Sequence, residues 1–155
     1  MKNHEIDNSD LFDGFGNGSL HFYVVSKQNC KPYKDGNARY LELDFHLSDW
    51  EAFYVKSLKV PEDEEYQFNE NIDSFDERNK RRFQNSIRDF PMLGRIFSMY
   101  EDYLFTTQEI LSLRYECERL KLELKEKDAI KAVRKLIYAS DEAIKAEFNL
   151  MFVCD

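Results

Sequence analysis

The chain is short of the residues that mark secreted, membrane-bound or metal-folded proteins. Its 155 residues include three cysteines, Cys30, Cys117 and Cys154. An odd number without CxxC spacing excludes a disulfide framework and suits a reducing compartment. No stretch reaches the roughly 18 consecutive apolar residues that a spanning helix needs. Residues 1–8 have no apolar core of a signal peptide, and Cys154 stands second from last, outside any lipidation box. The expected location is the cytoplasm, with no membrane partner. Catalytic and nucleotide-binding signatures are missing too: there is no GxxxxGK[ST], GxSxG or HExxH. Gly14-Phe15-Gly16-Asn17-Gly18 precedes a strand instead of joining a strand to a helix, so it cannot cradle a phosphate. The three histidines and three cysteines have no zinc-ligand spacing, and Asp7, Asp10 and Asp13 lack the closing glutamate of a calcium loop. No cofactor is expected.

Glycine (5) and proline (3) are also scarce, and residues 95–155 contain neither. With no breaker in that stretch, the pattern predicts helix throughout. What the chain has in quantity is aromatic side chains, 15 % of residues, and charge, 34 %. At this length about 70 % of the unfolded surface can be buried, enough for one domain over 1–155 without staples.

Residues 1–18, rich in Gly, Asn, Asp and Ser, read as a flexible lead-in. Residues 19–26 are aromatic and β-branched, a strand. Residues 38–47 alternate strictly, with Leu41, Leu43, Phe45 and Leu47 on one side and Tyr40, Glu42, Asp44 and His46 on the other. This predicts a second strand, antiparallel to the first. Residues 48–60 fit a short helix started by a Ser48/Glu51 capping box, or a third strand. Ile72, Phe75, Phe83, Ile87 and Phe90 mark a helix ending before Pro91. Leu93, Ile96, Phe97, Tyr100 and Leu104 follow helical spacing. Thr106 and Glu109 form a capping box ahead of the stripe Ile110, Leu113, Cys117, Leu120 and Leu124. After a break at 125–127, with Asp128 as a cap, Ile130, Val133, Ile137, Ile144, Phe148 and Met151 form a last stripe. Together these predict an α+β fold, a small antiparallel sheet from the N-terminal third on a predominantly helical C-terminal part with a long helical hairpin.

The net charge of −8 is concentrated. Residues 61–77, an acidic connector, hold eight acids and no base, and so equal the whole net charge. Dense like charge keeps such a segment solvated. It also offers a face for a basic protein partner, with Glu62, Asp63, Glu64, Glu65, Glu70 and Asp73 steering and pairing, and Tyr66 and Phe68 anchoring. Nucleic acid is disfavoured by this balance, since phosphates want a basic stripe. The basic cluster that follows, Arg78, Lys80, Arg81, Arg82 and Arg88, pairs with nearby acids along a helix.

The leading expectation is therefore a non-catalytic protein-binding domain. A small acidic α+β chain rich in Tyr and Phe is similar in physical type to inhibitors and immunity proteins that neutralise basic toxins or nucleases; no residue is carried over from them. The alternative is an enzyme or metal-binding protein using a polar sheet face, with His21, Glu42, Asp44 and His46 for acid–base work or ligation. Cys30, among Lys27, Lys31 and Lys34, is a weaker candidate for a reactive thiol. In solution the chain is expected to be a monomer or weak homodimer, the latter through the hairpin.

Overall fold

The computed structural model describes residues 7–14, 18–26, 38–61 and 72–154, with side chains in the last stretch from residue 77. The fold is α+β. Strands β1 (Leu20–Val25) and β2 (Ala38–Phe45) pair antiparallel, as the alternation predicts. Leu20, Phe22 and Val24 of β1 and Leu41, Leu43 and Phe45 of β2 all enter the main core. After β2 the chain turns into α1 (Leu47–Trp50) and a π-helix, Glu51–Ser57. The helical reading of 48–60 holds, but its cap lies two residues earlier than Ser48. The backbone N–H of His46 donates to Asp49 at 2.8 Å, and Leu47 is exposed at the start of the helix instead of extending the strand.

Helix α2 runs over Ile72–Ser86 and stops short of Phe90. The predicted helix over 93–104 is not there. Leu93–Arg95 makes one 3-10 turn, and Tyr103–Phe105 forms strand β3. Of the residues at that spacing, Leu93 and Ile96 enter the main core and Phe97 packs against it, Leu104 packs on the smaller apolar cluster, and Tyr100 is exposed.

The hairpin follows as α3 (Thr107–Lys121) and α4 (Lys127–Ala146). Thr106 N–H donates to Glu109 at 2.9 Å, the expected capping box. Ile110, Leu113, Cys117 and Leu120 are all buried. Helix α4 passes unbroken through Tyr138–Asp141 and starts one residue before Asp128. Its 20 residues span about 30 Å at 1.5 Å each. It ends at Glu147, which adopts the left-handed conformation (φ 60°) and reverses the chain. The last stripe therefore does not continue as helix through Phe148 and Met151: Asn149–Cys154 is strand β4.

The sheet is thus four-stranded and antiparallel, ordered β2-β1-β4-β3, with half of its strands from the part predicted helical. β4 lies in the middle, Phe152 opposite Phe22 on one side and Tyr103 on the other. Among the described residues no helix is long and apolar enough to cross a membrane.

β1 and β2 slip register by two residues between His21 and Tyr23: His21 faces Asp44, but Tyr23 faces Tyr40. Glu42, with φ 57°, stands at the resulting bulge and points away from the core. On the second sheet face Tyr23, Val25 and Val153 form a small apolar cluster with Tyr40 and Met151. That face is not the solvated polar surface that simple alternation predicts.

Candidate functional site

Three arrangements merit description: an aromatic groove, a buried ion cluster, and a histidine–aspartate pair.

The groove has a volume of about 500 Å³ and lies between the α1/π-helix segment, α2 and the stretch 97–101. A π-helix widens the turn and often accompanies a functional site; here it carries Val55 at the groove wall, directly after Trp50. Trp50 stacks on Tyr54 at 4.3 Å and on Phe83 at 5.5 Å between ring centres, so its indole is held in place. Tyr54 is anchored in turn by donating its hydroxyl to Leu93 O at 2.8 Å. On the far wall Tyr103 pins the chain before Tyr100: its hydroxyl donates to Ser98 O (2.7 Å) and accepts from Ser98 N–H (3.0 Å). Burial pushes the Tyr103 phenol well above its usual range, so it stays protonated and able to donate. Tyr100 itself is 79 % exposed. Lys80 Nζ lies over the Phe97 ring at 5.0 Å. Pro61 stands at the point where the described chain enters the acidic run, and α2, which ends that run, supplies Asn79, Lys80 and Phe83 to the same groove. Leu93, which accepts from Tyr54, is held in turn by Glu116 of α3, which accepts from Met92 N–H and Leu93 N–H, both at 3.0 Å. Burial raises the Glu116 carboxyl, and the two N–H donors oppose that rise.

The ion cluster centres on Lys135 of α4, which is fully buried. Its ammonium donates to Asp49 at 2.6 Å, to both oxygens of Asp13 at 3.0 and 3.1 Å, and to Asp44 O at 2.8 Å. Lys131 adds a second cation to Asp13 at 2.8 Å. His46 bridges the edge of the cluster, Nε2 against Asp13 at 2.9 Å and Nδ1 against Ser19 Oγ at 2.7 Å. Asp13, His46 and Asp49 put potential ligand atoms within 4.8 Å of one another. That spacing would suit a divalent cation, but the Lys135 ammonium bonds both carboxylates and, with Lys131 on Asp13, balances their charge. The cluster also ties down the segment read as a lead-in: residues Asn8–Leu11 form a 3-10 turn, and Leu11 is fully buried.

Asp13 is held at about 2, below its ordinary 3.8. Burial pushes it upward, but hydrogen bonds from Lys131 and Lys135 outweigh burial. A carboxylate lowered by folding stabilises the fold above its unfolded pKa, and that contribution disappears as pH falls through the folded value. The stability difference between the wild type and Asp13→Asn should therefore be full above pH 3.8 and shrink as pH falls towards about 2. Urea midpoints of both proteins measured across that window check this.

The polar constellation His21/Glu42/Asp44/His46 is not assembled. His21 and Asp44 are each 2 % exposed and bond one another, Nδ1 to Oδ1, at 2.8 Å. Tyr40 donates to the same Asp44 oxygen at 2.5 Å, and burial together with that bond pushes the Tyr40 phenol upward. Glu42 is exposed at the bulge, and His46 turns to Asp13. The physical reasons are two: the bulge displaces Glu42, and β2 ends at Phe45, so His46, at the N-cap of α1, leaves the sheet face. Of the acidic partner-binding set, Glu62, Asp63, Glu64, Glu65, Tyr66, Phe68 and Glu70 lie outside the described residues; Asp73 is in α2, its side chain likewise outside them. Cys30 lies outside them too.

Lys135 and Asp49 were not singled out from the sequence, and Asp13 entered only as one of three aspartates that do not make a calcium loop. One signal was present: Lys135 lies on the stripe of Ala132, Leu136 and Ala139, where a lysine is out of place unless paired. The aromatics of the groove were visible as apolar residues, but their convergence was not. Compared with protein-family models, with curated proteins and with solved structures, the chain gives no significant match to any of them.

Proposed function

We propose that the chain is a non-catalytic protein-binding domain for a basic partner, of the inhibitor or immunity type. The observation that carries this reading is the aromatic groove whose walls include both flanks of the acidic run, Pro61 before it and α2 after it. An apolar recess with aromatic anchors, in a chain whose run 61–77 carries eight acids and no base, suits a basic segment that also carries apolar side chains. The carboxylates of Glu62, Asp63, Glu64, Glu65, Glu70 and Asp73 would steer the encounter; Tyr66, Phe68, Trp50 and Tyr100 would hold it. His21, His46, Asp44 and Asp49 are engaged in internal bonds, which favours this reading over the metal or acid–base alternative.

The test begins with gentle purification of the tagged protein from its native host at low salt. A single basic companion at equal stoichiometry, released by salt, is expected. Purification as a lone monomer would count against the proposal. With the companion in hand, Glu64→Lys/Glu65→Lys should slow association and flatten its salt dependence, and unchanged kinetics would remove that segment from the interface. Trp50 is the sole tryptophan, so its emission should change on binding. Tyr100→Ala should weaken affinity by about tenfold or more, as truncating an aromatic anchor does.

A further inference from the structure

A chain of contacts links the aromatic groove to a buried carboxylate. Glu116 of α3 accepts from Met92 N–H through Oε2 and from Leu93 N–H through Oε1. Leu93 O accepts in turn from the Tyr54 hydroxyl. The Tyr54 ring stacks on Trp50, and Trp50 lines the groove. Leu93 and Tyr54 are both fully buried, so close packing leaves no slack to absorb a displacement between the two ends.

Solvent protons reach Glu116 from the other end. It borders a separate hollow of about 440 Å³, which shares no lining residue with the groove. Around that hollow it meets Arg119, which favours its charged form, with Asp89 as a second carboxylate and Tyr115 at the rim. The Tyr54 phenol and the Cys117 thiol are fully buried, pushed up by burial and therefore neutral. Burial raises the Glu116 carboxyl above its ordinary 4.5. Folding thus favours the neutral acid over the ion, and protonation does not oppose the fold. Its cost is local. A carboxylate accepts on both oxygens, whereas the neutral acid turns one of them into a hydroxyl that donates. Either Met92 N–H or Leu93 N–H then loses its acceptor, and a buried amide left unpaired drives the turn to rearrange.

We propose that Glu116 is a proton-sensitive latch on the aromatic groove: its carboxylate fixes the 92–93 turn and, through Leu93 O and the Tyr54 hydroxyl, the pose of Trp50, and its neutral acid releases them. As a regulator of partner binding the latch rests on the groove being the binding surface; acid would then weaken the complex. Trp50, the sole tryptophan, reports the latch with no partner present, so its failure and the failure to find a companion are distinct results.

Trp50 emission of the full chain, followed from neutral pH down through 4.5 beside far-ultraviolet circular dichroism, tests it. The wild type should show a step in emission maximum centred above 4.5 while the dichroism stays constant. Glu116→Gln should lose the step and hold the acid-form emission at neutral pH, since its amide accepts on one atom and donates from the other. Tyr54→Phe keeps the ring but not the bond to Leu93 O, and should lose most of the step. A flat wild-type profile, or a step that coincides with loss of dichroism, overturns the proposal. So does a step that survives in Glu116→Gln, which would belong to other groups such as Asp49, Glu51, Glu101 or His46. A step undiminished in Tyr54→Phe overturns the relay even where Glu116→Gln does not fold.

Discussion

Lys135→Met is expected to cost about 3–5 kcal/mol of folding stability, the range for removing one partner from a buried ion pair. Methionine keeps most of the length and packing of the lysine stem, so little of the loss comes from a cavity. What it removes is the one fully buried cation that bonds Asp49 and Asp13. Asp49 has 7 % of its side chain exposed, so its charge would be left in a poorly hydrated site. The backbone oxygen of Asp44 would lose its donor as well. Lys131 still reaches Asp13, so the main loss falls on Asp49. Urea unfolding followed by circular dichroism measures it as a lower midpoint at unchanged slope. The double variant Lys135→Met/Asp49→Asn should recover part of the loss, because the orphaned charge goes with its partner. A single-variant cost below about 1 kcal/mol would mean that Asp49 is hydrated in solution and that the lysine is not its main counter-charge.

Phe152→Ala should be comparably severe, at about 3–5 kcal/mol for a buried ring. Phe152 is fully buried in the central strand and packs against Phe22 at 4.5 Å and Phe105 at 5.3 Å between ring centres. Truncating it opens a cavity where three strands meet. Phe148→Ala, four residues earlier on a side chain 43 % exposed, should cost far less. The pair discriminates between structures. A helix continued beyond Ala146 would carry Phe148 and Met151 on its apolar side, whereas β4 turns Phe152 into the core. Thermal midpoints of both variants give the order, and a larger effect at Phe148 would contradict the strand.

Much of the fold was legible because burial of one face imposes a period. In 38–45 that period is two, and Leu41, Leu43 and Phe45 are all in the core. In 107–121 it is near 3.6, and Ile110, Leu113, Cys117 and Leu120 are all buried. β4 was not legible for the same physical reason in reverse. Asn149–Cys154 is covered by strands on both edges and contributes to apolar clusters on both faces, so Leu150, Phe152 and Val153 give a run without alternation. Such a run is indistinguishable from the tail of a helical stripe. β3 has three residues, too few for any period to register.

The candidate sites divide along the same line. The acidic run and the single tryptophan are properties of composition, readable without a fold. The bulge at Glu42 was unreadable, since alternation cannot announce its own interruption, and so was the end of β2 at Phe45, after which His46 turns to Asp13 while His21 and Asp44 bond across the strands. The convergence of Asp13, Asp49 and Lys135 was equally hidden. Lys135 lies 122 positions from Asp13 and 86 from Asp49 along the chain, and no local pattern couples residues so far apart. The sequence by itself determined which segments could bury an apolar side and where the negative charge would gather, because both depend on neighbours within a few residues. Only the tertiary structure decided which polar groups would meet, because a buried charge finds its partner through the packing of whole elements.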